Sequence, residues 1–195
     1  MVTVETGARL HFGFRNLALA HDRLYGGIGA ALREPRVAIS AEQAAAVECD
    51  EPTVERFVRE AVDALGVSGA RVTVRERFDR HVGLGSGTQF ALATLVAVAR
   101  AHDRAVAPRV VAPVLGRGGR SGVGVATFEA GGLVVDAGHP AERFTSQPPE
   151  EGSWTVPRPI ARHDLPEAWR FVLVTPEATT GKSGPTEDES MRSAV

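Results

Sequence analysis

Alternation of apolar and polar residues predicts several strands in the first half of the chain. Between residues 8 and 14 every second residue is apolar, which predicts a strand with Leu10, Phe12 and Phe14 on one face. The same pattern predicts further strands at 2–5, 36–41 and 71–78. The Tyr25-Gly26-Gly27-Ile28-Gly29 segment indicates a turn or a glycine-lined strand edge.

A period of 3.6 residues predicts helices elsewhere. Apolar residues recur at helical spacing over 53–65, with Thr53 as a plausible N-cap and Gly66 as a stop. Residues 90–101 are apolar on nearly every side, which predicts a buried helix. A further helix is expected to begin at Pro108 and to run to about Leu115.

The second half of the chain is predicted to be less regular. We expect two strands at 123–130 and 131–136, joined by a tight turn, and one more at 169–175. Residues 140–166 are predicted to form a surface excursion with a strand near 154–156, and the polar tail after Pro176 to be disordered. This order of elements predicts an α+β fold, with one domain over 1–166 and the start of another, or a tail, over 167–195.

Composition narrows the classes of partner and location. The 195 residues carry 22 Lys and Arg against 24 Asp and Glu, a net charge of −2, which indicates neither a nucleic-acid partner nor a membrane partner. We expect no signal peptide and no membrane helix, and therefore a cytoplasmic protein. Cys49 is the only cysteine, so it cannot form an intrachain disulfide.

The glycine-rich segment Gly83-Leu84-Gly85-Ser86-Gly87-Thr88-Gln89 is the strongest chemical signal, because it leads into the predicted buried helix. A helix N-terminus offers unpaired N–H groups and partial positive charge, and glycines let an anion approach the backbone. The hydroxyls of Ser86 and Thr88 suit phosphate oxygens or a bound Mg2+. The segment is neither a Walker A loop nor a dinucleotide fingerprint, so spacing alone leaves an ordinary Gly-Ser turn as the alternative.

Three segments together resemble the galactokinase–homoserine kinase–mevalonate kinase–phosphomevalonate kinase (GHMP) superfamily. They are the glycine-rich segment, Ala8-Arg9-Leu10-His11-Phe12-Gly13, and the segment from Gly116 to Gly132. Gly124 stands where galactokinase and mevalonate kinase have a catalytic Asp, and no Asp or Glu occurs between Ala105 and Phe128. These departures argue against an ordinary kinase.

The combined motifs resemble one branch of that superfamily, the beta-ribofuranosylaminobenzene 5'-phosphate synthases. Its motifs correspond to ARLHFG, YGG-x-G, HVGLGSGTQ and GR-x-x-RSG-x-G followed by FE-x-GG-x-x-VD-x-G, which span residues 8 to 139. The resemblance implies a GHMP-kinase-like N-terminal two-layer α/β domain, with the second, ferredoxin-like domain largely absent. It also implies a Mg2+-dependent transferase that joins 4-aminobenzoate or 4-hydroxybenzoate to phosphoribosyl pyrophosphate, releasing CO2 and pyrophosphate in methanopterin-type cofactor biosynthesis.

Site residues follow from the resemblance, beside plainer alternatives for each. The glycine-rich segment, Gly83 to Gln89, is assigned to phosphate binding, and Ser86 and Asp136 to the metal. The residues assigned to catalysis are Arg9, His11, Arg120 and Ser121, with Arg117 as a further anion ligand. Solvated arginines, a structural histidine and a paired carboxylate are the alternatives. A GHMP-type kinase and an inactive truncated phosphate-binding fragment remain alternative functions, and a homodimer remains a possible assembly.

Overall fold

Two long antiparallel strands form the centre of the protein. A computed structural model describes residues 1–79, 82–144 and 152–174, with β1 at Val2–Asn16 and β2 at Arg23–Gln43. His81, Thr175, residues 145–151 of the predicted excursion and the tail after Pro176 lie outside the described residues. The strands predicted at 2–5 and 8–14 form one continuous strand, and so do 25–29 and 36–41, because β1 and β2 pair from Val2 opposite Ala41 to Asn16 opposite Tyr25.

The other elements complete one mixed sheet with helices. The further strands of the described residues are β3 at Glu48–Cys49, β4 at Ala70–Glu76, β5 at Leu133–Asp136, β6 at His139–Pro140 and β7 at Pro159–His163. The helices are α1 at Pro52–Leu65, α2 at Ser86–Ala101, α3 at Pro108–Val111 and α4 at Val123–Ala130, with a 3-10 turn at Ala141–Phe144. The sheet order is β3-β4-β2-β5-β7, and β1 and β6 also pair with β2.

Helix α2 forms the middle of the core, as its apolar sequence predicts. Its buried residues pack against α1, where the Phe57 and Phe90 rings stack with centroids 6.3 Å apart. The Thr53 N-cap prediction is wrong by two residues: Pro52 is the first helical residue, and the Glu51 carboxylate accepts a hydrogen bond from the Thr53 N–H. Gly66 ends α1 in the left-handed conformation, as predicted. Among the described residues, no helix is long and apolar enough to cross a bilayer.

The strand predicted over 123–130 is wrong, because these residues form α4. The Thr127 hydroxyl donates to the Val123 carbonyl oxygen at 2.9 Å, one turn back in the helix. Gly124 lets α4 approach α2 closely, since a Cβ there would lie 3.2 Å from the Thr88 Cγ2 atom. Packing against α2 therefore overrides the β propensity of the valines and threonine.

A β-bulge explains why the predicted apolar face of β1 is wrong. The register shifts between His11 and Gly13, which reverses the alternation of side chains along the strand. Phe12 is consequently 54% exposed, while the Phe14 ring contacts the His11 ring at a centroid distance of 5.1 Å. The bulge thus places an aromatic ring beside a residue of the predicted site.

Three predictions in the second half also need correction. The helix from Pro108 ends at Val111 and continues only as turns. The strand expected near 154–156 is absent, and β7 at 159–163 pairs with β5 instead. Residues 169–174, the described part of the predicted strand, form no strand and are all exposed. Among the described residues, no neighbouring strand pairs with this segment, and a strand is not stable without such pairing.

Candidate active site

The N-terminus of α2 is shaped to receive an anion. Gly85 precedes the helix with φ at 72°, a left-handed conformation that favours glycine, and no side-chain cap is found among the described residues. Ser86 is the first helical residue, and the first turn, SGTQ, carries no acidic side chain. Backbone N–H groups at such a terminus point outward with partial positive charge.

Two arginines lie against this terminus. A Cβ at Gly85 would lie 2.7 Å from the Arg9 Cγ and 2.9 Å from its Nε, and a Cβ at Gly87 would lie 3.4 Å from the Arg117 Nη1. The Arg9 N–H also donates to the Leu84 carbonyl oxygen at 3.0 Å, which ties β1 to the loop. The two guanidinium groups and the helix N-terminus together offer N–H donors and positive charge, an arrangement that suits phosphate.

Next to the loop, the Asp136 carboxylate gathers four donors. Its Oδ2 accepts from the Gly27 N–H at 3.0 Å, the Gly122 N–H at 2.9 Å and the Ser121 hydroxyl at 2.8 Å. Its Oδ1 accepts from the Gly138 N–H at 2.8 Å, and the residue is fully buried. Asp136 therefore joins β2, the loop before α4, and the end of β5.

The direction of these hydrogen bonds argues against Ser121 as a nucleophile. Ser121 has a single hydroxyl proton, which it donates to Asp136, and its Oγ accepts from the Val123 N–H at 3.2 Å. The His11 Nε2, 3.2 Å from that Oγ, must then carry a proton and donate it. In a nucleophilic triad the serine donates to the histidine instead, so His11 is oriented with Nδ1 as its acceptor.

His11 is neutral at ordinary pH. Burial, and to a smaller extent the positive charge of Arg9, lower its pKa to about 4 against the opposing effect of the Asp136 carboxylate. A neutral imidazole adds no positive charge to a site that already holds two guanidiniums. Burial also lowers the pKa of His139, whose Nε2 lies 3.0 Å from the Gly118 carbonyl oxygen.

The lowered His11 pKa makes stability depend on pH. Between about 6.5 and 4 the unfolded chain binds more protons than the folded chain, so we expect the free energy of unfolding to fall as the pH drops through this window. Urea unfolding at a series of pH values measures this slope. His11→Gln should flatten it in part, because His139 contributes in the same direction. The exposed His21→Gln serves as the control; an equal change of slope in both variants would contradict the expectation.

Two predicted ligands are engaged in other contacts. Gln89 is 1% exposed, accepts from the Thr6 hydroxyl at 2.7 Å and donates to the Gly124 carbonyl oxygen at 3.1 Å, so it holds β1, α2 and α4 together instead of contacting phosphate. Asp136 has donors on both carboxylate oxygens, which disfavours it as a metal ligand. Within the described residues, no group of three or more His, Cys, Asp and Glu side chains could hold a metal ion.

The remaining predicted residues surround the loop to different degrees. Gly83 is exposed with φ at 82°, Leu84 is half-buried, and the Thr88 side chain faces Gly124. Ser86 is buried at the first position of α2. Arg120 is half-buried beside Ser121 in the loop before α4. Glu129, near the end of α4, pairs with Arg109 at 2.7 Å.

The sequence analysis missed the roles of Tyr25-Gly26-Gly27 and Trp154. Tyr25 and Gly26 have φ of 62° and 70° within β2, and this bend presents the Gly27 N–H to Asp136. A Cβ at Gly27 would lie 2.4 Å from the Ser121 Oγ and 2.7 Å from the His11 Nε2, so only glycine fits. The Trp154 indole donates to the Arg117 carbonyl oxygen at 2.9 Å, which fixes the loop carrying Arg117. Paired glycines after an aromatic residue were the available signal for the bend.

Comparison with known proteins gives matches to one family. Residues 52–132 match the model for the GHMP kinases N terminal domain. Three relatives carry the name beta-ribofuranosylphenol 5'-phosphate synthase. Those from Methanothermobacter thermautotrophicus and Archaeoglobus fulgidus are 37% and 40% identical over 94% and 91% of this chain. That from Methanocaldococcus jannaschii is 31% identical over 89%. The chain spans about three-fifths of the length of these relatives, at 60%, 58% and 59%.

Solved structures confirm the predicted fold. Streptococcus pneumoniae phosphomevalonate kinase matches with a TM-score of 0.56 and 13% identity, over 73% of this chain and 50% of that one. A 4-(cytidine 5'-diphospho)-2C-methyl-D-erythritol kinase matches with a TM-score of 0.53 and 18% identity, over 71% and 53%. At these identities the likeness concerns the fold alone, a mixed α/β N-terminal domain.

Proposed function

We propose that this chain, which matches the GHMP kinases N terminal domain over residues 52–132 and is similar to three beta-ribofuranosylphenol 5'-phosphate synthases, acts in the same class of reaction as those synthases. The proposed reaction joins phosphoribosyl pyrophosphate to 4-hydroxybenzoate or 4-aminobenzoate, with release of CO2 and pyrophosphate. The phenol in the relatives' names favours 4-hydroxybenzoate as the acceptor. The observation that carries the proposal is the uncapped α2 N-terminus between Arg9 and Arg117, which suits a pyrophosphate group.

The chemistry breaks a C–O bond, in contrast to a kinase reaction. The anomeric C–O bond breaks and pyrophosphate leaves with the electron pair. The ring carbon that bears the carboxylate then bonds to the anomeric carbon, and the C–C bond to CO2 breaks to restore the aromatic ring. Stabilising the departing negative charge is the main electrostatic task, and preorganised N–H groups and guanidiniums perform it well.

In the proposed reaction, His11 binds the ribose ring of the donor. Its Nε2 donates to Ser121, so its Nδ1 can accept a hydrogen bond from a ribose hydroxyl. A neutral imidazole at this position also avoids repelling the positive charge that develops on the sugar. Ser121 and Asp136 hold His11 in place, and no proton transfer is required of any of the three.

Of the two magnesium ligands predicted from the sequence, Ser86 and Asp136, we retain only Ser86 in the proposal. Asp136 does not fit as a ligand because both of its oxygens accept protein hydrogen bonds. The Ser86 hydroxyl at the helix start would be the protein ligand, and pyrophosphate oxygens would supply further ligands of the kind Mg2+ prefers. Bound there, Mg2+ would neutralise charge on the leaving group.

The two alternatives have weaker support. A kinase of the galactokinase or mevalonate kinase type would need a carboxylate at position 124, where a Cβ would already lie 3.2 Å from Thr88. An inactive phosphate-binding fragment retains the loop geometry without turnover. We also propose a cytoplasmic location and no nucleic-acid or membrane partner, on the near-neutral charge and the single cysteine, and we leave open a homodimer.

The test supplies the protein with phosphoribosyl pyrophosphate, Mg2+ and carboxyl-labelled 4-hydroxybenzoate, with 4-aminobenzoate in parallel. We expect labelled CO2 and pyrophosphate in equal amounts, faster with 4-hydroxybenzoate. Parallel reactions with ATP and no phosphoribosyl pyrophosphate serve as the control. Phosphorylation of an acceptor without CO2 release would overturn the proposal in favour of a kinase. A folded protein with no turnover of either kind would support the inactive fragment.

A further inference from the structure

A second group of cationic side chains lies at the end of the β1–β2 pair where Asn16 is opposite Tyr25. A cavity of about 330 Å³ is lined by Arg15, Asn16, His21, Arg23, Tyr25 and Ala137. Its lining contains two arginines and a histidine and no acidic residue. We propose that this cavity binds the 5-phosphate of the sugar donor, an assignment that rests on the proposed function and deepens it.

Backbone carbonyl oxygens hold the guanidinium groups of Arg15 and Arg23 in place. Arg23 donates from Nε to the Ala137 carbonyl oxygen at 2.7 Å and from Nη2 to the Gly138 carbonyl oxygen at 2.5 Å. Arg15 donates from Nη1 to the Asp136 carbonyl oxygen at 3.3 Å. A guanidinium has five N–H donors, so these bonds leave others to face the cavity. Arginine held in this way suits bidentate binding of phosphate oxygens.

Tyr25 has an unusual conformation at the inner wall of the cavity. Its φ of 62° is rare for a bulky residue, and such strain is concentrated at functional sites. The ring is buried against Phe14, with centroids 5.4 Å apart, and Phe14 in turn contacts His11. A row of three rings therefore runs from the cavity to the predicted sugar-binding histidine.

One residue links this cavity to the active site. The Asp136 carboxylate holds Ser121, which contacts His11, while the Asp136 carbonyl oxygen holds Arg15. Three residues of β1 therefore mark three places in order along the strand. Arg9 lies at the α2 terminus, His11 follows, and Arg15 lines the cavity. This order matches a donor with pyrophosphate at one end, the reacting carbon in the middle and a phosphate monoester at the other end.

The carboxylate of the acceptor fits this cavity less well than the phosphate. Two guanidiniums would stabilise the carboxylate most strongly before the C–C bond breaks, and binding the ground state tightly opposes the loss of CO2. A phosphate monoester does not react, so tight binding there only positions the sugar. The open, exposed setting of Arg15, His21 and Arg23 also suits a group that stays hydrated in part.

Calorimetry with three separate probes tests the assignment: ribose 5-phosphate, pyrophosphate and 4-hydroxybenzoate. We expect Arg15→Gln to weaken ribose 5-phosphate binding about 10-fold and to leave pyrophosphate binding unchanged. Arg33→Gln, an exposed arginine of β2 outside the cavity lining, is the matched control. The exposed His21→Gln provides a second variant if Arg15→Gln fails to fold, and we expect a smaller loss in the same probe.

The outcomes separate this inference from the proposed function. Unchanged ribose 5-phosphate binding in folded Arg15→Gln and His21→Gln would overturn it. Weaker binding of 4-hydroxybenzoate in place of ribose 5-phosphate would also overturn it, and would make the cavity the acceptor site. Because these measurements need no turnover, selective loss of ribose 5-phosphate supports the cavity even if no CO2 is released, a result that would count against the proposed function alone.

Discussion

Asp136→Asn is expected to lower the free energy of unfolding by about 2–4 kcal/mol. The amide oxygen can face the three donors at Oδ2, but the amide NH2 then points at the Gly138 N–H, which loses its acceptor. The charge that strengthens the bonds from Gly27, Gly122 and Ser121 is lost as well. A buried donor without an acceptor costs about 1–3 kcal/mol, which sets the scale of the effect.

Urea unfolding of Asp136→Asn beside Asp63→Asn measures this cost. Asp63 lies on the exposed face of α1, so its substitution removes the same charge without a buried network, and we expect a change within about 0.5 kcal/mol. Equal stability in the two variants would mean that Asp136 does not organise the site. A stabilising effect of Mg2+ on the wild type that disappears in Asp136→Asn would instead restore its predicted role as a metal ligand.

The contrast between Asp136 and Ser86 illustrates what a sequence can reveal about a site. The glycine-rich loop leading into α2 was predictable because glycines, hydroxyls and an apolar helix are contiguous in the chain, although the helix begins at Ser86 and not at the predicted Phe90. The partners of Asp136 come from β2 and from the loop before α4, more than 100 residues apart in the case of Gly27. A motif identifies such an acid as important, but whether it faces a metal or three backbone amides depends on packing.

The errors in the fold have the same origin. Val123–Ala130 has strand-forming residues, yet Gly124 fits against Thr88 only as part of a helix. The bulge after His11 changes which face Phe12 and Phe14 occupy. Gly13, with φ at 136°, was the local signal for it, because an isolated glycine within a strand pattern often marks a bulge. By contrast, α1 and α2 follow from long periodic segments, whose burial is determined by many residues at once.

The largest effect on ligand binding is expected at the α2 terminus. Replacing both Arg9 and Arg117 with alanine should weaken pyrophosphate binding about 100-fold or more, because each charge-assisted hydrogen bond contributes about 1.5–3 kcal/mol. Arg9 lies against Gly85 and Arg117 against Gly87, so each reaches a different side of the same helix start. The single variants should each lose about 10-fold or more, and calorimetry with pyrophosphate, with and without Mg2+, measures all three.

Arg56→Ala provides a matched control for Arg117→Ala. Both guanidiniums lie over the Phe57 ring, at 4.5 Å and 5.5 Å from its centroid, so both substitutions remove a cation–π contact and one positive charge. Arg117 also reaches Gly87, whereas the exposed Arg56 lies on α1. If the loop binds pyrophosphate, Arg117→Ala weakens binding and Arg56→Ala leaves it within about 2-fold, a change smaller than one ordinary hydrogen bond. Equal losses in the two variants would mean that Arg117 acts only through its positive charge and makes no specific contact with pyrophosphate. Unchanged binding in the Arg9 and Arg117 double variant would mean that the glycine-rich segment does not bind pyrophosphate.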